Sequence, residues 1–470
     1  MSRRWALLGA LALALGFAGC AKPEREVIYV TATPLTDAQG NIILPPTLTP
    51  AEPTPTPIQP TPNPPRPLPE EPPLPQTPAF KLIPDSELVY SPTVSDFSVE
   101  GAIKYRQGFL KAYSEDVGGG VVLSGVEIID YVALSYSVNP RLLLAILEYR
   151  GGWLSDPLPE GARMDYPMGI VKAGREGLLR QMLDATDALN AGYYGWKYRG
   201  QVTLALGDGQ VLYYAPTLNA GTVGVQHMLS LTADPAQWQQ DVGPEGFFQT
   251  YLALFGDPFA RGYEPLTPPD LQQPELALPF PRGEEWVFTG GPHGGYNSGS
   301  AWAAVDFAPP KPPDEVLETE GACYVSEHWV TAAASGVVAR SGFGYVVLDL
   351  DGDGDEHTGW TLVYLHVDDK GRIAEGETVQ TGDRLGHPSC QGGFSNGTHL
   401  HFARRYNGEW IPVDCAVCAP GVSAPRLVLS GWVFHGLPGQ EYQGYAVRQE
   451  GEGYVQADQM RDFEANKIAW

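Results

Sequence analysis

The 470-residue chain is short of positive charge: 30 Lys and Arg stand against 55 Asp and Glu, for a formal net charge of −25. A surface that acidic argues against nucleic acid or anionic lipid as the main partner. Long apolar runs are also missing, since the stretch from Trp5 to Phe17 falls short of the roughly 20 residues that cross a bilayer as a helix. Cysteine is rare, with five in all. What the chain does have is 43% hydrophobic residues, enough for packed cores, and a length that suits two or three domains. Its 55 Gly and 44 Pro point to loops, turns and β-structure more than to long helices.

Residues 1–20 read as an export signal, with Arg3 and Arg4 before the apolar run and Ala18-Gly19-Cys20 after it. That ending resembles a bacterial lipobox, which implies lipidation of Cys20 and an extracytoplasmic protein anchored to the bacterial membrane. Residues 21–84 form a linker, in which 16 of the 34 residues from Pro45 to Pro78 are Pro. Such a segment favours polyproline II and reaches roughly 100 Å at ~3.1 Å per residue. Four cysteines remain beyond Cys20, an even number that in an exported chain implies disulfides with three possible pairings. Cys323 with Cys390 and Cys415 with Cys418 is the expected pairing, because the second two lie three positions apart. A four-Cys zinc site is the alternative, disfavoured by the single Cys-x-x-Cys and the oxidising compartment.

Residues 85–270 carry a helical pattern. Ser124 and Glu127 have capping-box spacing ahead of Val126, Ile129 and Val132, and Asn139-Pro140 starts a helix over 141–149 that Gly151 and Gly152 stop. Further helices are expected at 176–191 and 221–231. The run from Tyr136 to Trp153, with Asn219-Ala220-Gly221, resembles lytic transglycosylases, a lysozyme-like family. In that family a Glu at the helix end protonates the scissile glycosidic bond, and the matching position here is Arg150, which is never neutral. The resemblance therefore implies a lysozyme-like helical domain that binds glycan without cutting it, with Glu148 as a displaced acid in the alternative.

From residue 278 to 425, short β-branched and aromatic runs separated by Gly, Asp and Asn turns predict an antiparallel β-sheet domain, followed by a β extension over 426–470 in which no chemistry is expected. Within the sheet domain, His399 and His401 lie two apart on a strand and so face one side. Tyr364 and His366, on another strand, are likewise expected on one face. With His293 and Asp306 this gives four His and one Asp, enough for the three ligands of a catalytic zinc site plus a base near its open position. Asp349, Asp351 and Asp353 have the spacing of the first half of a calcium loop, but Trp360 stands where the closing carboxylate is needed. An acidic turn is the expectation there and calcium the alternative. His387 lies in the loop leading to the site.

The His and Asp, Gly336-Val337-Val338, Tyr364-Leu365-His366, Gly382-Asp383-Arg384-Leu385-Gly386 and Thr398-His399-Leu400-His401-Phe402 together resemble the LytM/lysostaphin-type zinc metallopeptidases. The resemblance implies one zinc ion held by His293, Asp306 and His401, His366 and His399 as catalytic histidines, and hydrolysis of peptide bonds in peptidoglycan. One position departs from the motif: the first His usually lies four residues before the Asp, where this chain has Trp302. His293 is thirteen residues before Asp306, and the Gly-rich loop between them must return it to the metal. If it does not, the rival is a catalytically inactive peptidoglycan-binding activator of a cell-wall amidase. The expected whole is a multidomain α+β protein, monomeric, with peptidoglycan peptide and glycan strands as partners.

Overall fold

The computed structural model describes residues 75–470 apart from 119, 343, 416, 417, 419–421, 423 and 460–464. The signal, Cys20 and most of the linker lie outside the described residues. Among these no helix is long and apolar enough to cross a membrane.

Four longer helices make the first layer: α1 (Gly125–Tyr136), α2 (Pro140–Gly151), α3 (Leu178–Tyr198) and α4 (Ala220–Ser230). The local signals act as read. The Ser124 hydroxyl accepts the Glu127 N–H while the Glu127 carboxylate accepts the Ser124 N–H, so two otherwise unpaired donors at the start of α1 are satisfied. The Asn139 side chain accepts the Arg141 N–H ahead of Pro140, and Gly152 closes α2 with the left-handed backbone that glycine adopts without cost. Helices α3 and α4 cross at Gly192 and Gly224, where a Cβ on Gly192 would lie 2.8 Å from the Gly224 Cα.

The second layer is a nine-stranded antiparallel sheet. Its strands are β1 (Trp286–His293), β2 (Ala304–Ala308), β3 (Gly336–Gly342), β4 (Gly344–Asp349), β5 (Trp360–Val367), β6 (Thr378–Val379), β7 (Leu400–Tyr406), β8 (Glu409–Trp410) and, after a second sheet, β13 (Lys467–Ile468). Across the sheet the order is β6-β3-β4-β5-β7-β2-β1-β13, with β8 paired to β7. The second sheet, β9 (Val428–Leu429), β10 (Trp432–Leu437), β11 (Gln440–Arg448) and β12 (Tyr454–Gln456), follows the chain order.

Both faces of the large sheet are apolar. Val346, Leu348, Leu362, Tyr364 and Phe402 point into one core together with Phe434 and Ala446 of the second sheet. Tyr345, Val347, Val363, Leu365 and Ala403 point the other way, into a core they share with the helices. The segments expected as successive domains thus have a common interior. Polar groups cross it in buried, satisfied pairs: Lys197 of α3 meets Glu409 of β8 at 2.7 Å, and the Tyr198 hydroxyl donates to the same carboxylate at 2.8 Å. Ser137 donates to the Gly408 carbonyl, and the Trp410 indole donates to the Tyr136 carbonyl. Cys323 pairs with Cys390 and Cys415 with Cys418, as expected from parity and spacing.

Candidate active site

Three strands bring the sequence candidates together. On β7, His401 lies beside Asp306 of β2 in register, and Asp306 in turn lies beside Gly290 of β1. A Cβ on Gly290 would sit 2.4 Å from Asp306 Oδ2, so only glycine leaves room for the carboxylate. Gly290→Ala is therefore expected to destabilise the fold by about 1–3 kcal/mol, the usual cost of overpacking, as read by denaturant unfolding.

The distance between His293 and Asp306 along the chain is resolved by a hairpin. Strand β1 runs antiparallel to β2, with one extra residue between the Gly290 and His293 pairings, and His293 ends opposite Ala304. The ten-residue connection 294–303 returns the chain, so the separation of thirteen becomes a spatial contact.

His293 Nε2 lies 3.2 Å from Asp306 Oδ1 and 3.0 Å from His401 Nδ1, and His401 Nδ1 lies 3.3 Å from Asp306 Oδ1. All three residues are buried. Asp306 Oδ1 is itself buried with no donor aligned to form a hydrogen bond, although three imidazoles surround it. The outer nitrogens are spoken for: His293 Nδ1 donates to the Gly291 carbonyl and His401 Nε2 to the Gly295 carbonyl. Ligand atoms about 2.0–2.2 Å from a tetrahedral zinc ion lie roughly 3.3–3.6 Å apart, and outer-nitrogen bonds to carbonyls are what orient metal-binding imidazoles. The triangle fits such an ion.

Burial alone would raise the Asp306 carboxyl's pKa, but His293 and then His399 outweigh it and hold it well below the usual range. Burial alone would likewise lower that of His293, and Asp306 reverses the sign and raises it.

His366 and His399 complete the group, with ring centroids 4.5 Å apart. Each donates Nδ1–H to a carbonyl, that of Gln391 and of Gly397. Nε2 is left as the open nitrogen in two residues that line one cleft of about 620 Å³. Burial, then the neighbouring His399, pushes the His366 pKa well down. Burial lowers that of His399 too, against the pull of Asp306.

The expectation that Tyr364 and His366 share a face is corrected here. Tyr364 points into the core away from the helices. The pairing of β5 with β4 shifts between Leu365 and Val367, and His366 has φ +70°, so this bulge turns the imidazole to the opposite face.

Other singled-out residues stay apart from the cleft. His387 donates to the His328 carbonyl and packs on Trp329. The Asp349 carboxylate accepts the N–H groups of Asp351, Gly352 and Gly354, which makes an acidic turn. Arg150 is paired with the buried Asp241, and Glu148 accepts the Leu154 N–H. Asn219 and Gly221 hold Asp85, tying the start of α4 to the segment ahead of α1. Sequence reasoning missed Tyr131, Tyr296, Phe394, Glu441 and Tyr442 as cleft residues. Tyr296 and Phe394 carried a signal, since each is an aromatic residue inside a Gly/Ser/Asn-rich loop, where it has no strand face to fill.

Residues 322–413 match Peptidase family M23. The β domain belongs to family M23, and the chain is a peptidase. The M23 match contains His366, His399 and His401 but begins after His293 and Asp306, which the fold alone brings in. Residues 81–269 match the family described as LasA, N-terminal domain. The chain is similar to Protease LasA of Pseudomonas aeruginosa strain UCBPP-PA14, with 26% identity over 315 residues, 63% of this chain and 69% of the relative. The same figures hold for Protease LasA of strain PAO1. Among solved structures, the M23 metalloprotease pseudoalterin from the deep sea is 22% identical, covering 39% of this chain and 95% of its own, with a TM-score of 0.28. The catalytic domain of lysostaphin from Staphylococcus simulans is 22% identical over 27% of this chain and 88% of its own, with a TM-score of 0.19.

Proposed function

We propose that this M23 peptidase is a zinc-dependent endopeptidase that hydrolyses peptide bonds of peptidoglycan outside the bacterial membrane, to which a lipidated Cys20 ties it. The observation that carries the reading is the buried triangle of His293 Nε2, Asp306 Oδ1 and His401 Nδ1, with edges of 3.0–3.3 Å, beside two further imidazoles in one cleft.

His293, Asp306 and His401 would hold the metal. Zinc, when bound, supplies an acidified water and polarises a carbonyl. The protein's own part is proton handling. Because Nδ1–H of His399 and of His366 is committed to a carbonyl, the Nε2 lone pair is the basic site, and burial keeps each ring neutral and ready to accept. His399, whose Nε2 lies 3.7 Å from Asp306 Oδ1, takes the proton from a cleft water beside the triangle and returns it to the leaving amine. His366, whose ring lies 4.5 Å from that of His399, presents a second neutral Nε2 lone pair to the cleft and accepts a hydrogen bond there from the same water or from the substrate amide N–H.

The lysozyme-like, glycan-binding reading of the helical layer has no part in this proposal. Arg150 occupies the acid's position in a buried ion pair, and the Asn219-Gly221 motif is spent on Asp85.

Purified protein is expected to carry about one zinc per chain by elemental mass spectrometry and to release new amino termini from peptidoglycan. A chelator should stop the release and added zinc restore it. Bound zinc without any release would refute hydrolysis of peptidoglycan. A chain that binds no zinc, releases nothing, yet stimulates a cell-wall amidase would establish the activator instead.

A further inference from the structure

The C-terminal extension reaches the cleft. Strands β10 and β11 pair at Gly436 with Gly444 and again at Leu437 with Gln440, so Glu441, Tyr442 and Gln443 have no partner on β10 and bulge outward. Bulges re-aim side chains. Two glycines bring this bulge against the end of β1: a Cβ on Gly291 would lie 2.6 Å from the Gly444 nitrogen, and one on Gly444 would lie 2.6 Å from Pro292 Cδ.

The consequence is specific contact with the metal triangle. The Tyr442 ring, 39% exposed, stacks on His293 with centroids 4.3 Å apart and planes 18° from parallel. The Glu441 carboxylate accepts the Gly294 N–H at 3.2 Å, one residue beyond His293. Across the cleft, Phe394 is 80% exposed, and its neighbour Gly393 packs near His366.

The charge of the cleft is one-sided. Among the described residues its lining includes the carboxylates of Asp306 and Glu441 and no Lys or Arg. Asp306 belongs to the metal triangle, which leaves Glu441 as the fixed charge open to a ligand. The Arg199 guanidinium, whose charge acts on Glu441, turns its N–H groups to the carbonyls of Ala191, Ser298, Gly299 and Ser300 and not to that carboxylate. A partly exposed carboxylate beside aromatic faces is a setting that favours ammonium groups, through a charge-assisted hydrogen bond and cation–π attraction.

We infer that the Glu441-Tyr442-Gln443 bulge is a substrate subsite that takes a protonated amine, with the Glu441 carboxylate as its counter-charge and Tyr442 as its aromatic wall, on the His293 side of the metal triangle. The inference rests on the peptidase reading and narrows the substrate to peptides with a free ammonium near the scissile bond. A free N-terminus and a diamino-acid side chain share that chemistry.

The test compares peptidoglycan with the same material acetylated on its free amines, using the zinc-loaded full-length protein. Acetylation is expected to raise KM about tenfold with little change in kcat. Glu441→Gln keeps an acceptor for the Gly294 N–H, so zinc stays bound, but it should raise KM about tenfold on native material and erase the preference. Synthetic cross-link peptides acetylated only at the N-terminus or only at the side chain then identify which amine is bound. Equal KM for native and acetylated material in the wild type overturns the subsite while the peptidase reading stands, and this comparison needs no variant. A Glu441→Gln protein that discriminates as the wild type does also overturns it. Failure to cut either preparation removes the reading on which the subsite rests.

Discussion

Asp306→Ala is expected to yield a protein that binds no zinc and whose release of peptide ends falls at least about a thousandfold, the several kcal/mol that a catalytic metal contributes. The carboxylate supplies the only negative charge in the triangle, and its Oδ1 sits within 3.3 Å of His293 Nε2 and His401 Nδ1. Without it two imidazoles remain, one ligand fewer than a catalytic zinc site needs. His401→Ala should behave alike, for the same reason. His399→Ala should part company with both: zinc content stays at about one per chain, while hydrolysis falls about a hundred- to ten-thousandfold, the range of a lost general base. Elemental analysis and activity on the same samples separate the two classes. Zinc retained by Asp306→Ala, or lost by His399→Ala, would mean that the ligand and proton-handling roles are assigned to the wrong residues.

The largest effect on stability is expected at Glu409. Its carboxylate is fully buried between Lys197 and the Tyr198 hydroxyl, in the layer where helices meet the sheet. Burial alone would lower the Lys197 pKa, but Glu409 and then Asp85 outweigh it and raise it, so the ammonium stays charged inside the protein. Glu409→Ala leaves that charge with only the more distant Asp85 carboxylate, 3.9 Å away, and should cost about 3 kcal/mol in urea unfolding. Because the helices and the strands share one core, helical circular dichroism and tryptophan fluorescence are expected to be lost at the same urea concentration. Two separated transitions would show that the layers are independent. Changing Lys197 and Glu409 together to apolar residues of similar volume should recover most of the loss.

Local spacing carried much of the fold. Ser124 with Glu127 and Asn139 with Pro140 mark helix starts because capping acts within four residues, and His399 with His401 marks a strand face because side chains alternate. The shared core was harder to read. Its signal was present in Tyr345-Val346-Val347-Leu348, an unbroken apolar run with no polar face, which indicates a strand covered on both sides. The bulges at His366 and Tyr442 are not readable at all. Nothing in the residue types near His366 or Tyr442 announces an extra residue in the pairing, and alternation counted through a bulge assigns the wrong face. Hence alternation puts Tyr364 and His366 on one face, and the residue types of the C-terminal extension do not announce that Glu441 and Tyr442 reach the cleft. His293 became legible only once β1 and β2 were paired.

The left-handed backbone of His366 has a cost. A non-glycine residue with φ +70° gives up about 1 kcal/mol or more, a penalty that glycine would escape and asparagine would reduce. Stability alone would therefore favour replacing this histidine, and selection for a firmer fold would drift toward silence at the reaction centre. On the role proposed for His366, a stabilising substitution at that position is expected to lower activity, as unfolding and peptide release measured on the same variant would read.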